Sequence, residues 1–248
     1  MALVIEIAGI SCSGKSTAIQ YFKGIRCSNN IIEAEEYLGG YYKNITDGFF
    51  LKDTVINMPI FKFLVVAIEH LKNIFRYRQF YFMCVAQIMK NEGKVKAFRS
   101  FFFKIGKYYI LEKANVEKII MDEGPIQVLF SLFINNNKIG DTQIADIKSF
   151  IQYAPLADKV IFGPIIPQKT FVSRMMKRGH HRVVGTGEKK TSDRVKFSES
   201  EVRKRAELFI AKSVQLQKII FQEVKIRTGV LSLSDVNEWN KVFDDLCA

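Results

Sequence analysis

Cysteine is sparse and unclustered in this chain. Its four cysteines, Cys12, Cys27, Cys84 and Cys247, show no C-x-x-C spacing, so neither a zinc site nor a disulfide framework is indicated, and a reducing cytoplasm is the expected setting. Long apolar runs are missing as well. The most apolar segment, around Phe61 to Ile68, is interrupted by Lys62 and closed by Glu69, well short of the roughly 20 apolar residues that a bilayer requires. No basic region precedes the N-terminal apolar run, which argues against a signal peptide. There is no internal repeat and no low-complexity segment. The guanine-recognition pattern N/T-K-x-D is absent too, since Asn240-Lys241 is followed by Val242-Phe243, and this disfavours a GTPase. Acidic side chains are the last shortage: 25 against 37 basic ones, for a net charge of +12. Such a surplus suits anionic partners, which include nucleotides, nucleic acid, acidic saccharides and an anionic membrane surface.

What is present begins at the N-terminus. An apolar run from Leu3 to Ala8 feeds into Gly9-Ile10-Ser11-Cys12-Ser13-Gly14-Lys15-Ser16-Thr17, the P-loop pattern G-x-x-x-x-G-K-[ST]. Its glycines let the backbone curl until successive N–H groups face phosphate oxygens; Lys15 reaches the β and γ phosphates and the Ser16 hydroxyl ligates Mg²⁺. The residues after Thr17 have helical spacing, so a positive helix end faces the phosphates too. Strand, loop and helix thus follow in the order the motif needs. Gly9, Ser11, Cys12, Ser13, Gly14, Lys15, Ser16 and Thr17 are the expected nucleotide-binding residues, with Cys12 a small filler rather than a reactive thiol.

The rest of the chain alternates strands and helices. Ile31-Ile32 opens a second strand ending in Glu33, Glu35 and Glu36, placed where open α/β sheets bind ligands. Glu33 and Glu35 would share a side if that strand continued, and either is a candidate general base or substrate contact. The segment from Gly39-Gly40 to Phe50 reads as a loop. Helices are expected from Pro59 to about Phe75, Phe80 to Lys90, and Val95 to Glu112, the last broken lightly at Gly106. Their many aromatics, Phe80, Phe82, Phe98 and Phe101 among them, fit a core better than a base-stacking surface. Arg76, Arg78 and Arg99 are candidate anion clamps. Lys118 to Met121 is an apolar strand ending in Asp122-Glu123, and a strand-end carboxylate is what a P-loop enzyme uses to hold Mg²⁺ or take a proton from the acceptor.

Further helices are expected from Ile126 to Ile134 and from Asp141 through Phe150, with a strand at Lys159 to Phe162. A basic, glycine-bearing stretch follows at about 174–196, with Arg174, Lys177, Arg178, Arg182, Lys189, Lys190 and Arg194. Its place after a strand suits a lid that closes over phosphates, although it could also bind nucleic-acid backbone or be a soluble loop. Ser198 and Glu201 read as a capping box opening a long helix to about Ile226. A last strand, Val230 to Leu233, and a helix, Val236 to Leu246, complete a single domain over residues 1–248. The alternation implies an α/β fold with a mainly parallel sheet of five strands flanked by helices.

Three of these stretches together resemble thymidylate kinase and the wider nucleoside and nucleotide kinases. They are the P-loop Gly9 to Thr17, the segment Lys159 to Phe162 with Pro167 and the R-x-x-x-R-G pattern Arg174 to Gly179, and the ending Val230 to Asp235. The resemblance implies a P-loop kinase in which Arg174 lies near adenine, Arg178 and Arg182 approach the transferred phosphoryl, and Asp122 serves the metal or the acceptor. Thymidylate kinases follow the strand-end Asp with an Arg that binds the monophosphate acceptor, and nucleoside kinases carry Glu-Arg there, whereas this chain has Asp122-Glu123. A carboxylate repels phosphate at neutral pH. The expectation is therefore an ATP- and Mg²⁺-dependent transfer to a hydroxyl acceptor, nucleoside or sugar-like, more than to dTMP, with Lys15, Asp122, Glu123, Arg178 and Arg182 carrying the chemistry. Alternatives are a thymidylate-type monophosphate kinase, or a nucleic-acid-binding ATPase or switch protein. The apolar content of the helices between Pro59 and Glu112 hints at a homodimer interface.

Overall fold

The computed structural model describes residues 2–9, 15, 19, 31–48, 59–90, 94–133, 140–163, 167, 169, 170, 173, 174, 199–225 and 229–232. Near-continuous apolar runs make the strands β1 (Leu3–Ala8), β2 (Ile31–Glu33), β3 (Lys118–Met121), β4 (Lys159–Phe162) and β5 (Gly229–Ser232). Such runs belong to parallel strands covered on both faces rather than to half-exposed antiparallel ones. Every pairing recorded among them is parallel, and the order is β2-β3-β1-β4-β5. β1 thus has β3 and β2 on one side and β4 and β5 on the other, so the direction of winding reverses beside it. Crevices at such reversals, outside the carboxyl ends of the strands, are where open α/β sheets take ligands.

The helices are α1 (Ala34–Gly48), α2 (Pro59–Asn73), α3 (Arg78–Lys90), α4 (Lys94–Glu112), α5 (Pro125–Phe133), α6 (Asp141–Tyr153) and α7 (Glu199–Val224). The fold is therefore α/β with a parallel sheet, and the helix and strand positions largely agree with the sequence pattern. Strand ends are tied down individually. The Val4 N–H donates to Asp158 Oδ2 at 2.8 Å, and the Gly163 N–H continues the β4 ladder onto Ala8 O at 3.0 Å. Gln217 on α7 donates to Gly163 O at 3.1 Å, anchoring the far end of β4.

Three expectations are corrected here. The segment after Gly39-Gly40 is no loop: α1 runs to Gly48, and residues 49 and 50 lie outside the described set. Ala34, Leu38, Tyr42 and Thr46 are buried at four-residue spacing, and the burial of one helical face outweighs the roughly 1 kcal/mol cost of each glycine, both of which are exposed. Because α1 begins at Ala34, β2 stops at Glu33 and Glu35 lies in a helical turn, so the two glutamates do not share a side of one strand. Gly106, expected to interrupt α4, instead sits inside a continuous helix. A Cβ there would lie 2.3 Å from Val66 Cγ1, so the glycine serves the close approach of α2 to α4.

The core between sheet and helices is aliphatic and aromatic, with Ile5, Ile7, Phe80, Phe101, Ile105, Tyr109, Phe133, Phe150 and Phe162 all buried. Most of the helical aromatics are core residues as the spacing implied; Phe82 and Phe98 are exposed. α2 is less orthodox. It turns Glu69, His70 and Asn73 inward and leaves Ile60, Leu64, Ile68 and Leu71 outside. No helix among the described residues is long and apolar enough to cross a membrane.

Candidate functional site

β1 and β3 are parallel neighbours with Glu6 beside Met121, so Gly9 and Asp122, each just beyond its strand, emerge together at the carboxyl edge of the sheet. Gly9 has a φ of 133°, in the region that favours glycine. Lys15 Nζ donates to Gly9 O at 3.1 Å. Lys15 and Ile19 are both helical, consistent with a helix following the loop. The remaining expected loop residues, Ser11, Cys12, Ser13, Gly14, Ser16 and Thr17, lie outside the described residues, as do Arg178 and Arg182.

Asp122 is half-buried at the tip of β3. Burial pushes its carboxyl above the ordinary range, the charges of Glu123 and Glu35 add to the rise, and Lys15 pulls it back. The lysine of the glycine loop and the strand-end aspartate therefore act on each other. Two of the acids on this edge, Glu123 and Glu35, are each paired with a lysine of α4, Lys104 and Lys107. Among the described residues no three ligating side chains converge on one point.

A residue that sequence reasoning missed binds this edge together. Glu6, the only acid in β1, is fully buried and accepts three backbone N–H bonds at the start of α5: from Gly124 at 3.1 Å, Ile126 at 3.1 Å and Gln127 at 3.0 Å. A carboxylate at a helix N-terminus satisfies orphan donors and meets the positive end of the dipole. Desolvation nevertheless raises its pKa to about 7, against the lowering by those bonds and by Lys104. The contact allows no side chain at residue 124, because a Cβ there would lie 2.6 Å from the Glu6 carboxylate. The turn Asp122-Glu123-Gly124 is thus fixed to the strand that launches the glycine loop. A lone acid within an apolar strand was the available signal.

The other expected substrate residues separate. Glu33 closes β2 and is half-buried. Glu35 is exposed and ion-paired with Lys107 of α4. Arg99 is exposed on α4 and lines a cleft of about 580 Å³ with Lys62, Lys96, Lys104, Lys107 and Glu123. Glu123 stands 3.8 Å from Lys104, so the cleft opens directly beside the strand-end acids. Lys96, Arg99, Phe103 and Lys107 recur at three- and four-residue intervals, a helical stripe legible in the sequence though only Arg99 of it was singled out. Arg174 is helical and half-buried, with nothing on the described chain that fixes a role for it.

Comparison with known proteins is short. No protein-family model, curated protein or solved structure matches the chain.

Proposed function

We propose that the chain is a P-loop kinase: an ATP- and Mg²⁺-dependent phosphotransferase that moves the γ-phosphoryl to a hydroxyl on a small-molecule acceptor. The observation that carries the reading is that Lys15 donates to Gly9 O just beyond β1, on the same edge as Asp122 at the tip of the adjacent parallel strand, whose carboxyl pKa it lowers through its charge. In this reading the backbone amides from Gly9 to Thr17 and Lys15 hold the phosphates, while Ser16 and Asp122 hold the metal. Bound there, Mg²⁺ would neutralise charge on the phosphate oxygens. Phosphoryl transfer asks little covalent chemistry of the protein and much positioning and charge stabilisation.

The acceptor hydroxyl is assigned to the Asp122-Glu123 side. With Asp122 engaged by the metal, the proton of the attacking hydroxyl goes to Glu123 beside it or to a glutamate at the end of β2. Arg178 and Arg182 of the basic stretch supply charge to the transferred group, and Arg174 contacts the adenine. The setting is cytoplasmic. A homodimer belongs to the same reading, supported by the outward stripe Ile60, Leu64, Ile68 and Leu71 on α2; a monomer by light scattering across micromolar concentrations would remove it.

The test is ADP release from Mg·ATP against separate pools of nucleosides, nucleoside monophosphates, sugars and 5′-hydroxyl oligonucleotides, with Lys15→Ala as the blank. One pool should accelerate release in the wild type and not in the variant. ATP binding with no responsive pool, together with a steep loss of polynucleotide affinity in salt, would favour the nucleic-acid-binding ATPase instead.

A further inference from the structure

The cleft beside Glu123 has a charge balance that the hydroxyl-acceptor reading leaves unused. Five of its lining side chains are cationic: Lys62 from α2, and Lys96, Arg99, Lys104 and Lys107 from α4. Among the described residues, two carboxylates form ion pairs with them. Glu123 stands 3.8 Å from Lys104, and Glu35 takes Lys107. The Lys62 ammonium sits 5.8 Å from the centre of the Tyr42 ring. Lys96 and Arg99 have no ion-pair partner among the described residues. Lys104 is largely buried, and burial lowers its pKa while Glu123, Glu6 and Asp122 raise it. Like charges gathered in one concavity repel one another, and the walls concentrate their field on whatever enters.

The size of the cleft limits the occupant. At about 580 Å³ it falls within the 300–1,000 Å³ range of small-molecule sites. Phe103 and Pro59 supply apolar wall and Ser100 a hydroxyl. Glu123, which lines the cleft, adjoins Asp122 in the chain, so the cleft borders the strand-end acids.

We propose that this cleft holds an anionic group of the acceptor itself, so that the substrate is a hydroxyl compound already carrying a phosphate or carboxylate, of the sugar-phosphate or acidic-sugar kind. The acceptor's charge is fixed by Lys96 and Arg99, with Lys62 and Lys104 at its flanks, while its free hydroxyl faces Asp122. This resolves a tension at the strand end, where Glu123 repels phosphate. The acceptor anion is displaced from the strand tip into the α2–α4 cleft and only a hydroxyl is left at the acids. The inference rests on the phosphotransferase reading for the word acceptor, though not for the anion site.

The test separates the two. Inorganic phosphate, pyrophosphate and malonate are titrated calorimetrically into the full chain carrying Lys15→Ala, which weakens phosphate binding by the glycine loop. The same titrations follow with Arg99→Ala, Lys96→Ala or Arg78→Ala added. All three positions are exposed, and far-UV dichroism checks each fold. Affinity should drop roughly ten- to a hundredfold with either cleft variant and stay unchanged with Arg78→Ala, which removes a charge outside the cleft. Preference for the phosphates or for malonate identifies the source of the charge. Equal losses in all three variants, or no binding at millimolar anion, would overturn the proposal. In parallel, ADP release by the chain with Lys15 intact is measured with glucose against glucose 6-phosphate and gluconate. Arg99-dependent anion binding without ADP release from any acceptor pool would sink the kinase reading and leave the anion site. Release with neutral acceptors and no Arg99-dependent binding would do the reverse.

Discussion

Glu6 and Glu69 are both buried glutamates, and their surroundings push them in opposite directions. Glu6 is held only by backbone N–H groups, and desolvation wins: its pKa rises to about 7. Glu69, on α2, is held by lysines, Lys113 Nζ at 2.7 Å and Lys72 Nζ at 2.8 Å. Burial raises its pKa as well, but the two charged hydrogen bonds outweigh that and the net shift is downward. Dipoles satisfy the lone pairs of a buried carboxylate without cancelling its charge, whereas ammonium groups do both. Glu69 is therefore a charged joint between α2 and the end of α4, and Glu6 a titratable one beneath the candidate site.

The largest effect should come from stripping Glu69 of its partners. In Lys72→Met/Lys113→Met the carboxylate, only 4% exposed, loses both cations, and breaking a buried pair leaves an uncompensated charge. The expected loss is roughly 3–5 kcal/mol, towards the lower end because the ammonium groups are themselves half in water. Urea denaturation at pH 7 measures it. Adding Glu69→Gln should restore most of the loss; if it does not, packing of the lysine stems and not the charge is what matters.

Next in size is the pH dependence at Glu6. Between 4.5, the ordinary value, and about 7 the native chain keeps a proton that the unfolded chain gives up. Stability from this group is thus complete at the acid end and falls as pH rises through that window, by roughly 3 kcal/mol in all. Glu69 behaves in the opposite sense: its contribution is present above the ordinary carboxylate pKa and is lost as pH falls through its depressed value. Urea midpoints at pH 5 and pH 8 should show the wild type weaker at pH 8 once other groups are subtracted through Glu6→Gln, which should flatten that slope. An unchanged slope in Glu6→Gln would mean that Glu6 does not titrate there.

Gly124→Ala tests the same carboxylate from the other side. The new methyl group would stand 2.6 Å from it, and Glu6 cannot swing away without giving up N–H bonds to Gly124, Ile126 and Gln127. The expected cost is about 1–3 kcal/mol by thermal or urea melting. A neutral result would show that the turn after Asp122 relaxes, and that the carboxylate is not what fixes it.

These two residues also mark how much could be read from the sequence. Strands β1, β3 and β4 were legible because buried parallel strands are nearly unbroken apolar runs, and Asp122 stood out because its strand ends in acid beside a glycine loop. α1 was not legible: Gly39-Gly40 signals a turn locally, and only the burial of Leu38, Tyr42 and Thr46 makes a helix of it. Glu6 was passed over within the apolar run of β1, because its partners are backbone amides 118 to 121 positions away and backbone amides leave no mark in a sequence. The cationic cleft was hidden for a related reason. Its α4 stripe has helical spacing, but Lys62 joins it only through the packing of α2 on α4, which depends on Gly106.

The smallest effect expected is at Lys148, whose ammonium lies 3.2 Å from Glu223 with 55% of the lysine side chain and 24% of the glutamate exposed. It pairs the same residue types as Lys113 with Glu69. Here, however, both partners keep much of their hydration, so the attraction is screened and the side-chain entropy of holding the pair offsets it. Lys148→Ala should change stability by no more than about 0.5 kcal/mol, and 1 M salt should leave that small difference smaller still. A loss comparable to that at Glu69 would mean that burial is not what separates the two lysine–glutamate contacts, and that the α6–α7 seam depends on this charge.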